Sequence, residues 1–383
     1  MASLIATVVA PVREAWVTPG SEARIIRAIT YVLLAFGLAA VFSASTVESL
    51  NTYGNAWTIF LKQLLFAALG VALMLVADRL PLRVLRRIAM PALLGSIFLL
   101  LVVLAIGVTI NGQKEWIKVG PFTIQPSEFA KLAYLLFAAD RVAALSRRTR
   151  DPLRLGMPII LPAIPVMVLV FLEKDMGNVF VTAGFMLVLL FVIGYPSKRL
   201  LGVGLTGLGI VALVIRFGSK YRAARIMNWL NPWADPLGYG WQWIHGNYAL
   251  ALGGILGQGP GASKEKWGAL PEAHTDFILA VIGEEYGFIG TCITVGLILT
   301  LIVLLVRVAI RMEEDPFRRL VVSGVAAWLF MQSLFNVGAV LGLLPIVGVT
   351  LPLVSYGGSS LLPLLIGLGI VVRTLREPQE VAA

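Results

Sequence analysis

Cysteine, histidine and charge are all scarce in this sequence, and each shortage removes a class of protein. The single cysteine, Cys292, lies in an apolar run, so there is no disulfide framework and no thiolate metal site. Two histidines, His245 and His274, are too few for a histidine-based metal cluster. Only 14% of the 383 residues are charged, against about a quarter in a soluble domain, which excludes an ordinary soluble fold. Low-complexity tracts, internal repeats and a separate soluble domain are absent as well. No small-residue cleavage site follows the first apolar run, so a cleaved signal peptide is not expected.

What the chain does have is apolar surface. Its composition is 58% hydrophobic with a mean hydropathy of +0.88, the mark of a protein that is mostly membrane. A helical span needs about 20 apolar residues. Ten candidates answer to that, near 26–44, 57–77, 88–110, 125–140, 157–173, 177–195, 199–216, 285–306, 320–344 and 358–374. The expected fold is therefore an all-α integral membrane protein of about ten transmembrane helices. Residues 1–24 form a cytoplasmic N-terminal segment, 25–375 the membrane domain and 376–383 a cytoplasmic tail.

Orientation follows from where the basic residues fall. With the N-terminus inside, the inner segments hold Arg13, Arg24, Arg27, Arg79, Arg83, Arg86, Arg87, Arg141, Arg147, Arg148, Arg150, Arg154, Lys198, Arg199, Arg307, Arg311, Arg318, Arg319, Arg373 and Arg376. The short outer loops hold only Lys114, Lys118 and Lys174. Both termini are thus placed in the cytoplasm. The long segment 217–276, before the eighth helix, is the exception: it is basic and extracytoplasmic, and long loops escape the charge rule. It carries Lys220, Arg222, Arg225, Lys264 and Lys266 with five of the nine tryptophans, Trp229, Trp233, Trp241, Trp243 and Trp267. Such a loop lies on the headgroup layer or helps hold an anionic, lipid-linked substrate, and the two readings are compatible.

Three stretches put polar chemistry beside the membrane. "LPEAHTDFILAVIGEEYG", from Leu270 to Gly287, sets Glu272, His274, Asp276, Glu284 and Glu285 at the expected outer end of the eighth span. On one continuous helix Glu284 stands about 80° and Glu285 about 180° around from Asp276, so a break at Gly283 would be needed to face them into one cavity. Read alone, Asp276 suits a helix cap. "GPFTIQPSEFAKLA", residues 120–133, starts a helix at Pro126 and pairs Glu128 with Lys131 on one face. An ionisable pair inside the outer leaflet marks either a functional site or an internal salt bridge tying helices together. "LPLVSYGGSSLL", residues 351–362, reads as a re-entrant turn or as a tight external one.

Together with "NPWADPLGYGWQ" (231–242) and "GLLPIVGVTLPLVSYGGSSLL" (342–362), these stretches resemble the shape, elongation, division and sporulation family of bacterial cell-wall polymerases, the FtsW/RodA family. The resemblance runs over about 30–374, and its wording leans toward the FtsW branch. Two departures stand out. Members usually read Gln-Pro-Asp after the fifth span, where this chain has "EKDMG" from Glu173 to Gly177, and "WIHGNYAL" follows "GYGWQ" where Gln-Ser is common.

The resemblance implies polymerisation of lipid II into a growing glycan strand on the outer face of the plasma membrane. It implies a class B penicillin-binding protein as crosslinking partner, with other division or elongation proteins and membrane lipids around it, and no nucleic acid. Asp276 matches the family's essential aspartate, which displaces the cap reading. A sugar hydroxyl needs a base, here Asp276, and a departing polyprenyl diphosphate needs cations or backbone donors. The expected substrate contacts are Lys131, Glu128, Gln125, His274, Arg222, Arg225, Lys264, Lys266, Ser355, Gly357 and Gly358. Inversion at the sugar carbon follows from one displacement. No resident cofactor is expected, and a divalent cation, Mg or Mn, on the diphosphate fits this chemistry without a ligand cluster in the chain to hold it. A flippase for the same precursor and a non-catalytic scaffold for the penicillin-binding protein are the competing readings.

The orientation has a direct test. Single cysteines at Ser146, Ala262 and Ala382, in a Cys292→Ser background, should react in intact cells with an impermeant thiol reagent at position 262 alone. Labelling at 146 would reverse the topology.

Overall fold

A computed structural model describes residues 19–110, 112–217, 228–238 and 240–376. Proline and aspartate punctuate the apolar runs into helices. Asp151, Asp175 and Asp315 each accept a backbone N–H two or three residues on, capping the helices that follow. The helices are α1 (Pro19–Tyr53), α2 (Thr58–Arg79), α3 (Leu82–Ile106), α4 (Pro126–Ser146), α5 (Pro152–Leu172), α6 (Met176–Val192), α7 (Ser197–Phe217), α8 (Trp241–Gly253), α9 (Ile278–Arg311), α10 (Pro316–Val340) and α11 (Gly358–Arg376). Seven of them, α1, α2, α3, α5, α9, α10 and α11, are long and apolar enough to cross a membrane, and α6 is a shorter apolar helix. α4 owes its lower hydropathy to Glu128, Lys131, Asp140 and Arg141, the first three of which are buried against its neighbours.

Burial separates centre from rim. In their most apolar stretches α10 and α11 are 72% and 78% buried, whereas α2 and α3 are 28% buried. α2 and α3 therefore present Leu61, Leu65, Leu94 and Phe98 outward, as a lipid-facing surface does. With lipid as apolar as leucine, helices associate through close packing of small residues. α11 meets α2 in this way, Gly369 lying against the Met74 carbonyl.

The expected helical membrane fold is what the structure shows, with one small addition. The connection between α3 and α4 forms a small antiparallel sheet, β1 (Val108–Ile110), β2 (Gln113–Val119) and β3 (Phe122–Ile124), in sequential order. Val108 pairs with Trp116 and Ile117 with Ile124. The strands are too short to compete with the apolar runs as a sequence signal.

Arginines from several connections gather at the other end. Asp78 takes Arg27 at 2.5 Å and Arg376 at 3.0 Å, Asp140 takes Arg86 at 2.7 Å and Arg141 at 2.9 Å, and Arg311 pairs with Glu22. One charged end thus ties α1, α2, α3, α4, α9 and α11 together.

α9 contains the main departure from regular geometry. Its helix breaks at Gly287, with φ 68° and ψ −167°, and not at Gly283. Ile278 to Glu285 are buried within the protein, while Phe288 and Ile293 beyond the break are 67% and 58% exposed. A break leaves backbone groups unpaired, which lipid cannot satisfy. The loop after α8 satisfies them: Gln258 N and Gly259 N donate to the carbonyls of Glu284 and Glu285, and Phe288 N and Ile289 N donate to Gly254 and Ile255. The two glutamate side chains lock the same loop. Glu284 accepts from Ser263 Oγ at 2.6 Å and Lys264 N at 2.7 Å, and Glu285 accepts from Lys266 Nζ at 2.8 Å and Ser43 Oγ at 2.6 Å.

A side chain at position 287 would need a left-handed backbone and would place Cβ 2.4 Å from Gly257 N and Ile255 O. Gly287→Ala should therefore lose about 2–4 kcal/mol of stability. Gly296→Ala, in the same helix with open space around it, should be neutral or stabilising. Melting temperatures in detergent compare the two directly.

Candidate active site

At the end opposite the arginines, several chain segments converge without forming a helix. The connection from Leu341 to Gly357 is non-helical, yet Val349, Leu351, Leu353, Val354 and Ser355 are buried. Irregular backbone at this depth is tolerated where protein surrounds it, so this is an inward turn and not an external one. Asn336, near the end of α10, donates from Nδ2 to the carbonyls of Asp276 and Val349, both at 2.8 Å. Tyr356 N donates to the His274 carbonyl at 2.9 Å. Gln63 of α2 donates to Ser355 O at 3.2 Å and accepts from Gly357 N at 3.3 Å. These bonds fix "HTD" against the turn.

Asp276 is half-buried one position before Phe277, the residue at the helix cap, which has no side-chain cap bond. Thr275 Oγ1 lies 2.8 Å from Asp276 Oδ1 and 2.7 Å from Glu272 Oε2. A hydroxyl has one proton to donate, so it serves one carboxylate at a time and leaves the other with acceptor capacity. Gly348 stands beside the carboxylate in a left-handed conformation, φ 72°, and even a Cβ there would make only ordinary contact with Asp276 Oδ2, at 3.9 Å. His274 is buried with its ring against Tyr356, centroids 5.3 Å apart. Burial lowers its pKa, against the opposing pull of Glu272 and Glu48, and so favours the neutral imidazole.

Ser355, Gly357 and Gly358 serve packing at this turn. Ser355 Oγ accepts from Leu351 N at 2.8 Å, and a Cβ at Gly358 would strike the Phe66 ring at 2.2 Å. Lys264 is exposed. Lys266 is not available to a substrate, because its ammonium is buried and bonded to Glu285, Ser43 Oγ and Gly261 O. Arg222 and Arg225 lie outside the described residues.

Lys131 and Glu128 belong to a second, buried chain of polar groups. Lys131 Nζ donates to Glu128 Oε1 at 2.8 Å and to Asn178 Oδ1 at 2.6 Å, and it lies 5.0 Å from the centre of the Trp328 ring. Asn178 donates to Asp175, and Gln125 Nε2 donates to Asp175 and to Glu115 of β2. This chain joins α4, α6 and the sheet. Asn178 was not among the sequence candidates, although an amide in the apolar α6 was the available signal.

Beside it Glu173 is fully buried, and neither carboxyl oxygen has a hydrogen-bond partner among the described residues. Burial, then the Asp175 charge, pushes its pKa up to about 9. Burial and the Asp175 and Glu173 charges push Glu115 well up also. Among the described residues no group of His, Cys, Asp and Glu has the arrangement of a metal site.

Three comparisons place the chain among known proteins. The family model of FtsW, RodA and SpoVE cell cycle proteins matches residues 23–380. A probable peptidoglycan glycosyltransferase FtsW of Mycobacterium tuberculosis is 37% identical over 374 residues, 96% of this chain and 71% of that protein. Two solved structures share the fold. A chain of a peptidoglycan synthase complex that coordinates polymerization and crosslinking superposes with a TM-score of 0.74 at 30% identity, covering 92% of this chain and 96% of that one. The rod shape determining protein RodA of Thermus thermophilus gives 0.66 at 29% identity, covering 92% and 95%.

The protonation of Glu173 makes a prediction about pH. A carboxyl whose folded pKa is raised favours the folded state at low pH, and that contribution is lost as pH rises from about 4.5 to about 9. Glu173→Gln mimics the protonated form. Its melting temperature should exceed that of the unmodified protein at pH 8, with the gap closing toward pH 5.

Proposed function

The chain belongs to the FtsW, RodA and SpoVE family of cell cycle proteins, and from that premise we propose that it polymerises lipid II into glycan strands. The reaction joins the 4-hydroxyl of one disaccharide to the anomeric carbon of another, with polyprenyl diphosphate leaving and the configuration inverting. Asp276 is the general base. What supports this reading is its half-buried carboxylate beside the inward turn, where Asn336 bonds the carbonyls of both Asp276 and Val349. A positioned carboxylate contributes about 10²–10⁴-fold to such a proton transfer. Exposed Lys264, together with Arg222 and Arg225, meets the diphosphate, where concentrated charge needs fixed donors. A divalent cation on the diphosphate would add to the same charge balance. Lys131 and Glu128 act at one remove, holding α4 to α6 through Asn178.

The arginine-rich end is assigned to the cytoplasm, with both termini there, and the Asp276 end to the outer face of a bacterial plasma membrane. A class B penicillin-binding protein crosslinks the product. A protein related to the division polymerase FtsW would work within the division machinery.

Asp276→Asn is the test, with purified protein and lipid II in detergent, where no bilayer exists to cross. Asparagine keeps the shape and caps a helix about as well as aspartate, but cannot accept a proton. Polymer formation should fall by at least about two orders of magnitude, with expression and melting temperature unchanged. Robust polymer from the variant would remove Asp276 from the mechanism, and no polymer from the unmodified protein would favour a transporter.

A further inference from the structure

A cavity of about 430 Å³ opens between the segment before α8, the start of α8 and the two chain segments that lead to Asp276. That volume lies in the usual range for small-molecule sites, about 300–1,000 Å³. Three indoles, Trp229, Trp241 and Trp243, line it with two amides, Asn228 and Gln242. Leu237, 83% exposed, is on the same lining. No carboxylate and no cation is among the described lining residues.

This chemistry is selective. A phosphate or diphosphate calls for cations, and the described lining holds none. A polyprenyl chain would gain nothing from two amides and would pay to desolvate them. A neutral sugar uses both features. Its ring C–H faces pack on the electron-rich faces of indoles, and its hydroxyl and acetamido groups exchange hydrogen bonds with side-chain amides.

Two of the indoles are fixed before any ligand arrives. Trp229 Nε1 donates to Gly342 O at 2.9 Å and Trp241 Nε1 to Ala269 O at 2.6 Å. Held rings lose little freedom on binding. Trp243 is held differently: its Nε1 edge is buried against Gly342, so packing rather than a hydrogen bond fixes the ring.

The cavity also adjoins the proposed chemistry. Pro271 and Ile346 complete its wall, and the chain runs from them in a few residues to Asp276 and Gly348. We propose that this cavity is a saccharide subsite, binding N-acetylated sugar rings of the glycan strand beyond the reacting disaccharide. The identity of the strand as ligand rests on the glycosyltransferase reading; the neutral-sugar chemistry of the lining does not. A strand held here would stay bound between additions, so the subsite would set polymer length.

The experiment separates the two claims. A lipid-free N-acetylglucosamine tetramer is titrated onto the purified full chain in detergent, followed by saturation-transfer NMR, and the same samples are given lipid II. The unmodified protein should bind the tetramer saturably, and inorganic diphosphate should not displace it. Leu237→Glu changes an exposed position and sets a charge at the cavity. Trp243→Ala removes one of the lining rings. Each should bind the tetramer about tenfold more weakly and make shorter glycan strands, with the melting temperature retained in Leu237→Glu. No saturable binding to the unmodified protein, displacement by diphosphate, or full binding and full strand length in both variants would overturn the subsite. Tetramer binding by a protein that makes no polymer would leave the subsite standing and overturn the glycosyltransferase reading.

Discussion

The half of this protein that holds Asp276 depends on how the break at Gly287 is satisfied. An open turn of helix at membrane depth exposes backbone donors and acceptors that lipid cannot pair. Here the loop after α8 supplies the missing partners, and the carboxylates of Glu284 and Glu285 clamp that loop through Ser263, Lys264 N and Lys266, while Ser43 of α1 also donates to Glu285. The clamp holds the buried half of α9 inside the protein, and this half carries Asp276 at its entrance. Glu284 and Glu285 are therefore structural anchors, and their cost of burial is offset because their acceptors are occupied.

Charge is distributed to match. One end is an arginine-carboxylate lattice across six helices, suited to an anionic membrane surface. The other end is acidic inside. Glu115, Glu173 and Asp175 are buried close together, and two of them are pushed toward their protonated forms. A protonated carboxyl is uncharged as an amide is, and the family resemblance sets Glu173 at a position where glutamine is expected. A substitution that looks like an added charge is thus close to neutral in this setting.

The proposed saccharide cavity and the Asp276 turn lie on adjoining segments, and in the proposed reaction they divide the work of one polymerisation. There Asp276 takes the proton and the exposed Lys264 meets the departing diphosphate. The indole-lined wall is uncharged, which suits a product with no further chemistry to undergo. A polymerase needs both, because a strand released after each addition would have to be recaptured for the next.

Much of this was legible in the chain. Apolar runs place the long helices, since length and hydropathy alone decide what can span a bilayer, but not all of their ends: α1 runs on to Tyr53 and α9 already begins at Ile278. The motif around Asp276 drew attention to the carboxylate proposed as the base, since few ionisable groups are found in so apolar a chain without a reason. The sheet at Val108–Ile124 was missed because its strands are short. Gly283 and Gly287 are equivalent in a one-dimensional pattern, and only contact with Gly254–Gly259 selects the second as the break. Lys266 and Lys264 are likewise two basic residues in one loop, yet one is bonded to Glu285 and the other is exposed. The sequence by itself determined which segments enter the membrane and which residues carry charge there. The tertiary structure decided which of those charges meet a partner, because pairing depends on groups 20 to 240 positions away being brought within 3 Å of one another.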